Sequence, residues 1–235
     1  MTTVPLARRL AAEFVGTAFL LSGIVGSGIM AARLTDDAGL ALLQNAVATG
    51  AILVALILAL GPVSGAHLNP AVTIADRVFG GLTNRAAIGY IAAQVLGGAA
   101  GVVAANLMFD EGFAAWSQTV RSGAHLWFSE GVATVGLLLV VFGVVRSGRS
   151  SAVAFAVGGY IASAFSFTSS TSFANPAVTI GRMFTDTFTG IEPASVLPFL
   201  GAQGVGTLGA VGLIAVLFPH IGEVADRVMV PHEGE

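Results

Sequence analysis

The hexapeptide Asn69-Pro70-Ala71-Val72-Thr73-Ile74 returns unchanged as Asn175-Pro176-Ala177-Val178-Thr179-Ile180. Six identical residues in register do not recur by accident in a chain of 235 residues. The likeness extends outward from both copies. Glu13 precedes and Gln94 follows the first, and Glu130 precedes and Gln203 follows the second. Each half therefore reads Glu, Asn-Pro-Ala, Gln. The boundary falls in the polar stretch 110–123, giving halves 1–118 and 119–235 of one domain, 1–235.

The surroundings of the repeat place it in a membrane. Only 10% of the residues are charged and 55% are hydrophobic, against about 25% charged in soluble domains. That composition excludes soluble, fibrous and disordered classes. A helix crosses the bilayer in about 20 apolar residues. Six candidate spans run over 10–32, 39–62, 86–109, 126–145, 151–167 and 194–218. Continuous apolarity without strict alternation favours helices over barrel strands. The 31 Gly suit close helix packing, with Gly97 and Gly101 as one small-xxx-small pair. All ten basic residues are Arg and none forms a run, so nothing suggests a nucleic-acid partner. Cys is absent, which removes disulfides, thiolate nucleophiles and Cys-ligated metals. The isolated His67 makes no metal site, and no cofactor is called for.

Three spans per half is an odd number. The second half must therefore enter from the opposite face, as an inverted repeat. Six spans put both termini on one side. Arg8, Arg9, Arg77, Arg85, Arg146, Arg149 and Arg227 fall on that side, and Arg33, Arg121 and Arg182 on the other. The positive-inside rule then predicts cytoplasmic termini, with a polar tail after 218.

Each Asn-Pro-Ala follows a long span and opens a short apolar segment, 70–79 or 176–184, half the length needed to cross. Asn suits a helix N-cap and Pro the first helical position. The reading is two re-entrant half-helices, with loops that must be buried or line a wet cavity. Their N-termini converge near the midplane, each with about half a positive charge from its dipole. Each Asn carbonyl caps its helix and leaves the NH2 free. Such a junction suits polar neutral molecules and repels cations. Glu13 and Glu130 lie inside spans, where a carboxylate is costly. They serve either a proton relay or the N–H groups of the loops, and the repeat symmetry favours the loops. Gln94 and Gln203 read as loop-bonding residues, and His67 as a loop residue at the edge of the pore.

On these motifs the sequence resembles the aquaporin superfamily, the major intrinsic proteins. Ala12-Glu13-Phe14-Val15-Gly16-Thr17 and Ser64-Gly65-Ala66-His67-Leu68-Asn69-Pro70-Ala71-Val72-Thr73 carry the likeness, which covers nearly the whole chain. It implies an all-α membrane protein of six helices plus two half-helices, assembled as a homotetramer with one pore per subunit. It also implies that the two Glu brace the loops. Most of the family follow the second Asn-Pro-Ala with Arg, which narrows and charges a constriction. Here that position is Val178, and the nearest Arg is Arg182, one helical turn on. The other constriction positions carry over as Thr49, Ser163 and Ser172, with a one-residue slip of the last two to Ala164 or Phe173 left open. Thr, Ser, Ser and Val imply a wide constriction without a fixed cation. The resemblance then implies a passive channel in the plasma (inner) membrane for small neutral solutes: water, glycerol and similar polyols, and arsenite or antimonite as neutral hydroxides.

Two rival classes can be weighed against the channel. An ion-coupled secondary transporter shares inverted repeats and broken helices, but needs a coupling site beyond the two symmetric Glu. An intramembrane enzyme needs a nucleophile and base, and no spacing singles out Ser27, Ser64 or His67.

Overall fold

The structure, a computed structural model, describes residues 4–219. Arg227 and the tail beyond 219 lie outside the described residues. Among those described there are helices and no strands. The chain runs through α1 (Leu6–Leu34), α2 (Ala38–Ser64), the short α3 (Pro70–Phe79), α4 (Asn84–Met108), α5 (Ala124–Arg146), α6 (Val153–Phe167), the short α7 (Pro176–Gly181) and α8 (Pro193–Leu217). Six of these are long and apolar enough to cross a membrane, α6 when joined to the 3-10 turn Ser150–Ala152 before it. The six spans read from the sequence each coincide with one of them.

The ends follow from local chemistry. Asp37 caps α2 through the Leu40 N–H (2.9 Å), and Thr83 caps α4 through Ala86 (3.2 Å). Gly65 stops α2 and Gly80 stops α3, at φ 83° and 95°, a backbone that only glycine adopts without cost.

Packing repeats between the halves. α1 lies against α2 and α4, and α5 lies in the same way against α6 and α8. The halves join along α2 and α6. There, a Cβ on Gly158 would sit 2.6 Å from the Gly50 carbonyl oxygen, so the backbones touch directly. On the α1–α4 seam, a Cβ at Gly101 would stand 2.1 Å from the backbone oxygen of Ala18. That contact leaves no flexible side chain to yield. We expect Gly101→Val to lower the melting point in detergent by the equivalent of about 1–3 kcal/mol, and an unchanged melting curve would contradict this packing.

Polarity is arranged inside out. Phe19, Val47, Ile88, Leu96, Phe128 and Val216 are exposed, whereas Glu13, Thr73, Asp76, Gln94, Glu130 and Gln203 are fully buried. An apolar exterior has its solvent in lipid. The buried polar groups gather around α3 and α7, which stop inside the bundle instead of crossing it.

Candidate functional site

The loops that lead into α3 and α7 are built alike. Ala66 and Leu68 in the first, and Ser172 and Ala174 in the second, stand at φ 47°, 51°, 50° and 45°. Left-handed backbone costs a non-glycine residue about 1–2 kcal/mol, and it persists where the surroundings enforce it. The enforcing group is a buried carboxylate in each half. Glu13 on α1 accepts the N–H groups of His67 (3.0 Å) and Leu68 (2.7 Å), the Ser64 hydroxyl (2.7 Å) and the Gln94 amide (2.7 Å). Glu130 on α5 accepts the N–H groups of Phe173 and Ala174 and the Gln203 amide, each at 2.8 Å. Gln94 also donates to Thr73, and Gln203 to Thr179 (3.0 and 2.8 Å). Those hydroxyls in turn bond the Asn69 and Asn175 carbonyls at the start of each half-helix (3.1 and 2.9 Å).

With the loops held this way, the two half-helices meet N-terminus toward N-terminus. Asn69 caps α3 through the Ala71 N–H (2.8 Å), and Asn175 caps α7 through those of Ala177 and Val178 (2.9 and 3.3 Å). Pro70 and Pro176 take the first helical positions. The NH2 groups are not wholly free, contrary to the sequence reading. Asn69 donates to the Ala174 carbonyl and Asn175 to the Leu68 carbonyl, both at 2.8 Å. The left-handed backbone at 68 and 174 presents those carbonyls to the opposite half. Each amide carries two hydrogens, so this exchange uses one and ties the halves together. Both Asn line a cavity, where the second hydrogen is available.

That cavity holds about 40 Å³, room for roughly three water-sized centres at 10–15 Å³ each. Thr49, Ser172 and Val178 line it, together with His67 and an apolar wall that includes Leu20, Ile24 and Leu137. Ser163 does not line it, and this corrects the sequence reading. Val157, Ile161 and Phe165 face the cavity from α6 at four-residue steps, and Ser163, two residues from each of the last two, falls on the opposite face. It is exposed, and its hydroxyl donates to the Tyr160 carbonyl (2.7 Å). Ala164 is buried but is not in the wall either.

The expected wide constriction without a fixed cation is corrected too. Phe165, Phe173 and Arg182 all line the cavity. Arg182 is 3% exposed. Its guanidinium stacks on the Phe173 ring with 3.5 Å to the centroid, and its Nε donates to the Thr189 carbonyl. Arg121, from the segment between the halves, approaches the same ring at 5.2 Å and donates to the Gly190 carbonyl (2.8 Å). In the first half, His67 lies with Nε2 3.7 Å from the buried Asp76 carboxylate and Nδ1 3.1 Å from the Thr73 hydroxyl. Asp76 and Arg182 occupy the same register, seven residues after each Asn. The repeat alignment is the signal that could have brought both into the site from sequence.

Six membrane-length helices around two half-helices, joined end to end beside a narrow and partly polar cavity, define a membrane channel. A model of the major intrinsic protein family matches residues 1–152. The chain is 48% identical over 214 residues to aquaglyceroporin AqpS of Rhizobium meliloti, covering 91% of each. It is 32% identical to the lens fiber major intrinsic protein of Ovis aries, over 95% of this chain and 86% of that one. The crystal structure of the Plasmodium falciparum aquaglyceroporin superposes with a TM-score of 0.73 at 19% identity, covering 93% of this chain and 99% of that one. This chain belongs to the major intrinsic protein family, the aquaporins, and is an integral multi-pass membrane protein.

Proposed function

We propose that the whole chain is one passive, non-catalytic channel unit for small uncharged solutes: water, glycerol and related polyols, and arsenite or antimonite as neutral hydroxides. The observation that carries this is the reciprocal amide exchange of Asn69 and Asn175 beside the cavity. It leaves one N–H per amide, at the positive end of each half-helix, for a neutral oxygen in transit, while a cation meets two positive ends. A polyol and an uncharged arsenic trihydroxide offer the same hydroxyl chemistry to those donors. The name of the Rhizobium meliloti relative supports the glycerol part.

The remaining assignments follow from the same reading. Asn69, Pro70, Ala71, Asn175, Pro176 and Ala177 form the central junction. Thr49, Ser172 and Val178 take the constriction, with Phe165 in the place first given to Ser163. Glu13 and Glu130 hold the loops, and His67 edges the path. The channel works as a homotetramer in the plasma (inner) membrane with both termini cytoplasmic. The transporter alternative is not favoured, because both symmetric Glu accept loop N–H groups, which engages them in bracing.

Purified protein in liposomes should accelerate swelling in glycerol and in arsenite at neutral pH, beside a water control. Fast water entry with no acceleration for glycerol would contradict the solute range proposed.

A further inference from the structure

We propose that Arg182 supplies the fixed cation of this pore from one helical turn beyond Val178, excluding cations and hydrogen-bonding solute hydroxyls together with Thr49 and Ser172. The inference rests on the channel reading above and extends it to a residue outside the repeated hexapeptide.

Three observations meet at the α7 end of the cavity. The first is Arg182 itself, 97% buried yet part of the cavity wall. A guanidinium has five N–H donors. Nε is engaged by the Thr189 carbonyl, and the two terminal nitrogens have no protein acceptor among the described residues. Neither terminal nitrogen is sealed from space as well as unbonded, so both are open to an occupant of the cavity. The second is its bed. The Phe173 ring at 3.5 Å and the Thr189 carbonyl hold the plane from its face and from one edge. A planar fork fixed on two sides presents its remaining donors in one orientation. The third is the unpartnered pair of hydroxyls. Thr49 Oγ1 and Ser172 Oγ are buried in the same wall without a hydrogen-bond partner. Buried polar atoms without partners are rare in folded proteins. A solute hydroxyl at this end accepts from the guanidinium, and a rotation of the Thr49 and Ser172 side chains, whose oxygens are closed off as they stand, turns them toward it.

The charge follows the same geometry. Val178 is apolar, so the fixed positive charge in the wall beyond it is that of Arg182. A cation entering a narrow, low-dielectric passage beside a fixed guanidinium is repelled far more strongly than in water. Neutral polyols do not meet that barrier.

The test uses the full chain in liposomes, with water flux, glycerol flux and potassium leak measured on each variant. Arg182→Met keeps an unbranched stem on Phe173 and removes the charge, and Arg182→Lys keeps both stem and charge. Both should fold, with melting curves in detergent close to the parent's, and should still conduct water. Arg182→Met should leak potassium at least about tenfold faster, a modest part of the barrier a nearby charge can set, and Arg182→Lys should stay near the parent. Glycerol flux should change in Arg182→Met by at least about threefold relative to water. The double variant Val178→Arg with Arg182→Met moves the cation inward by one turn and should restore potassium exclusion. A water-conducting Arg182→Met that excludes potassium as the parent does would overturn the proposal. So would loss of water flux in both single variants, which would make Arg182 a packing residue only. A parent protein that passes neither water nor glycerol would instead sink the channel reading, and this is seen before any variant is made.

Discussion

Val178→Arg is expected to cut glycerol permeability by about tenfold or more while reducing water permeability much less. Val178 is 3% exposed and lines a cavity of about 40 Å³, so a guanidinium placed there occupies space a polyol needs and a single water does not. A tenfold loss is about 1.4 kcal/mol of barrier, small beside the cost of squeezing or desolvating a three-carbon solute. Arg182, one turn along the same segment, adds repulsion between two buried guanidinium groups and pushes the new side chain toward the open cavity. Stopped-flow swelling of folded variant and parent, in glycerol and in a non-permeant osmolyte, reads both fluxes. Equal glycerol permeability in the two would mean that Val178 does not stand at the narrow part of the path.

Glu130→Leu should abolish the channel by removing its support. Leu is close in size but accepts nothing, so the N–H groups of Phe173 and Ala174 and the Gln203 amide lose their acceptor together. A buried unsatisfied donor costs about 1–3 kcal/mol, and a folded protein has only about 5–15 kcal/mol in reserve. The left-handed residues Ser172 and Ala174 also lose what holds them. Water flux should fall to the background of empty liposomes, with a lower melting temperature in detergent. Glu130→Gln keeps one acceptor oxygen and should fall between. A proton-coupled carrier would behave differently, because there Glu130→Gln would fold normally and lose uptake alone. A Glu130→Leu protein with full water flux would contradict the bracing geometry.

The repeat made most of the architecture legible. Identical hexapeptides, an odd number of spans per half and Asn-Pro at a helix start lead to two inverted half-helices, and α3 begins and ends at 70 and 79 as read. The second half-helix is tighter than expected. α7 closes at Gly181 and continues as a 3-10 turn, Arg182–Phe184. The site was legible where chemistry is local and less so where it depends on rotation. Asn capping is a one-turn matter, and the sequence suffices for it. The cross-half bonds from Asn69 and Asn175 need the carbonyl directions at residues 174 and 68, which left-handed backbone sets and no pattern announces. Ser163 was misplaced because the count back from the second motif crosses a loop, 168–175, whose length fixes the phase of α6. An error of two residues turns a helix by more than half a circle, so Phe165 faces the cavity and Ser163 faces away. Arg182 went unplaced because its spacing sets it one turn past Val178 but does not say where so long a side chain ends. Whether its head group reaches the cavity was decided by Phe173 and Thr189, which the sequence does not put beside it.

The most direct test of the central claim is solute flux with every ion gradient removed. Liposomes carrying the protein would be given glycerol with proton and sodium gradients collapsed by ionophores, and the initial rate followed against the glycerol gradient in both directions. A passive neutral pore predicts fast flux that is proportional to the gradient, equal in either direction and indifferent to the ionophores. Flux that disappears when the ion gradients are collapsed would contradict the account and establish coupled transport in its place.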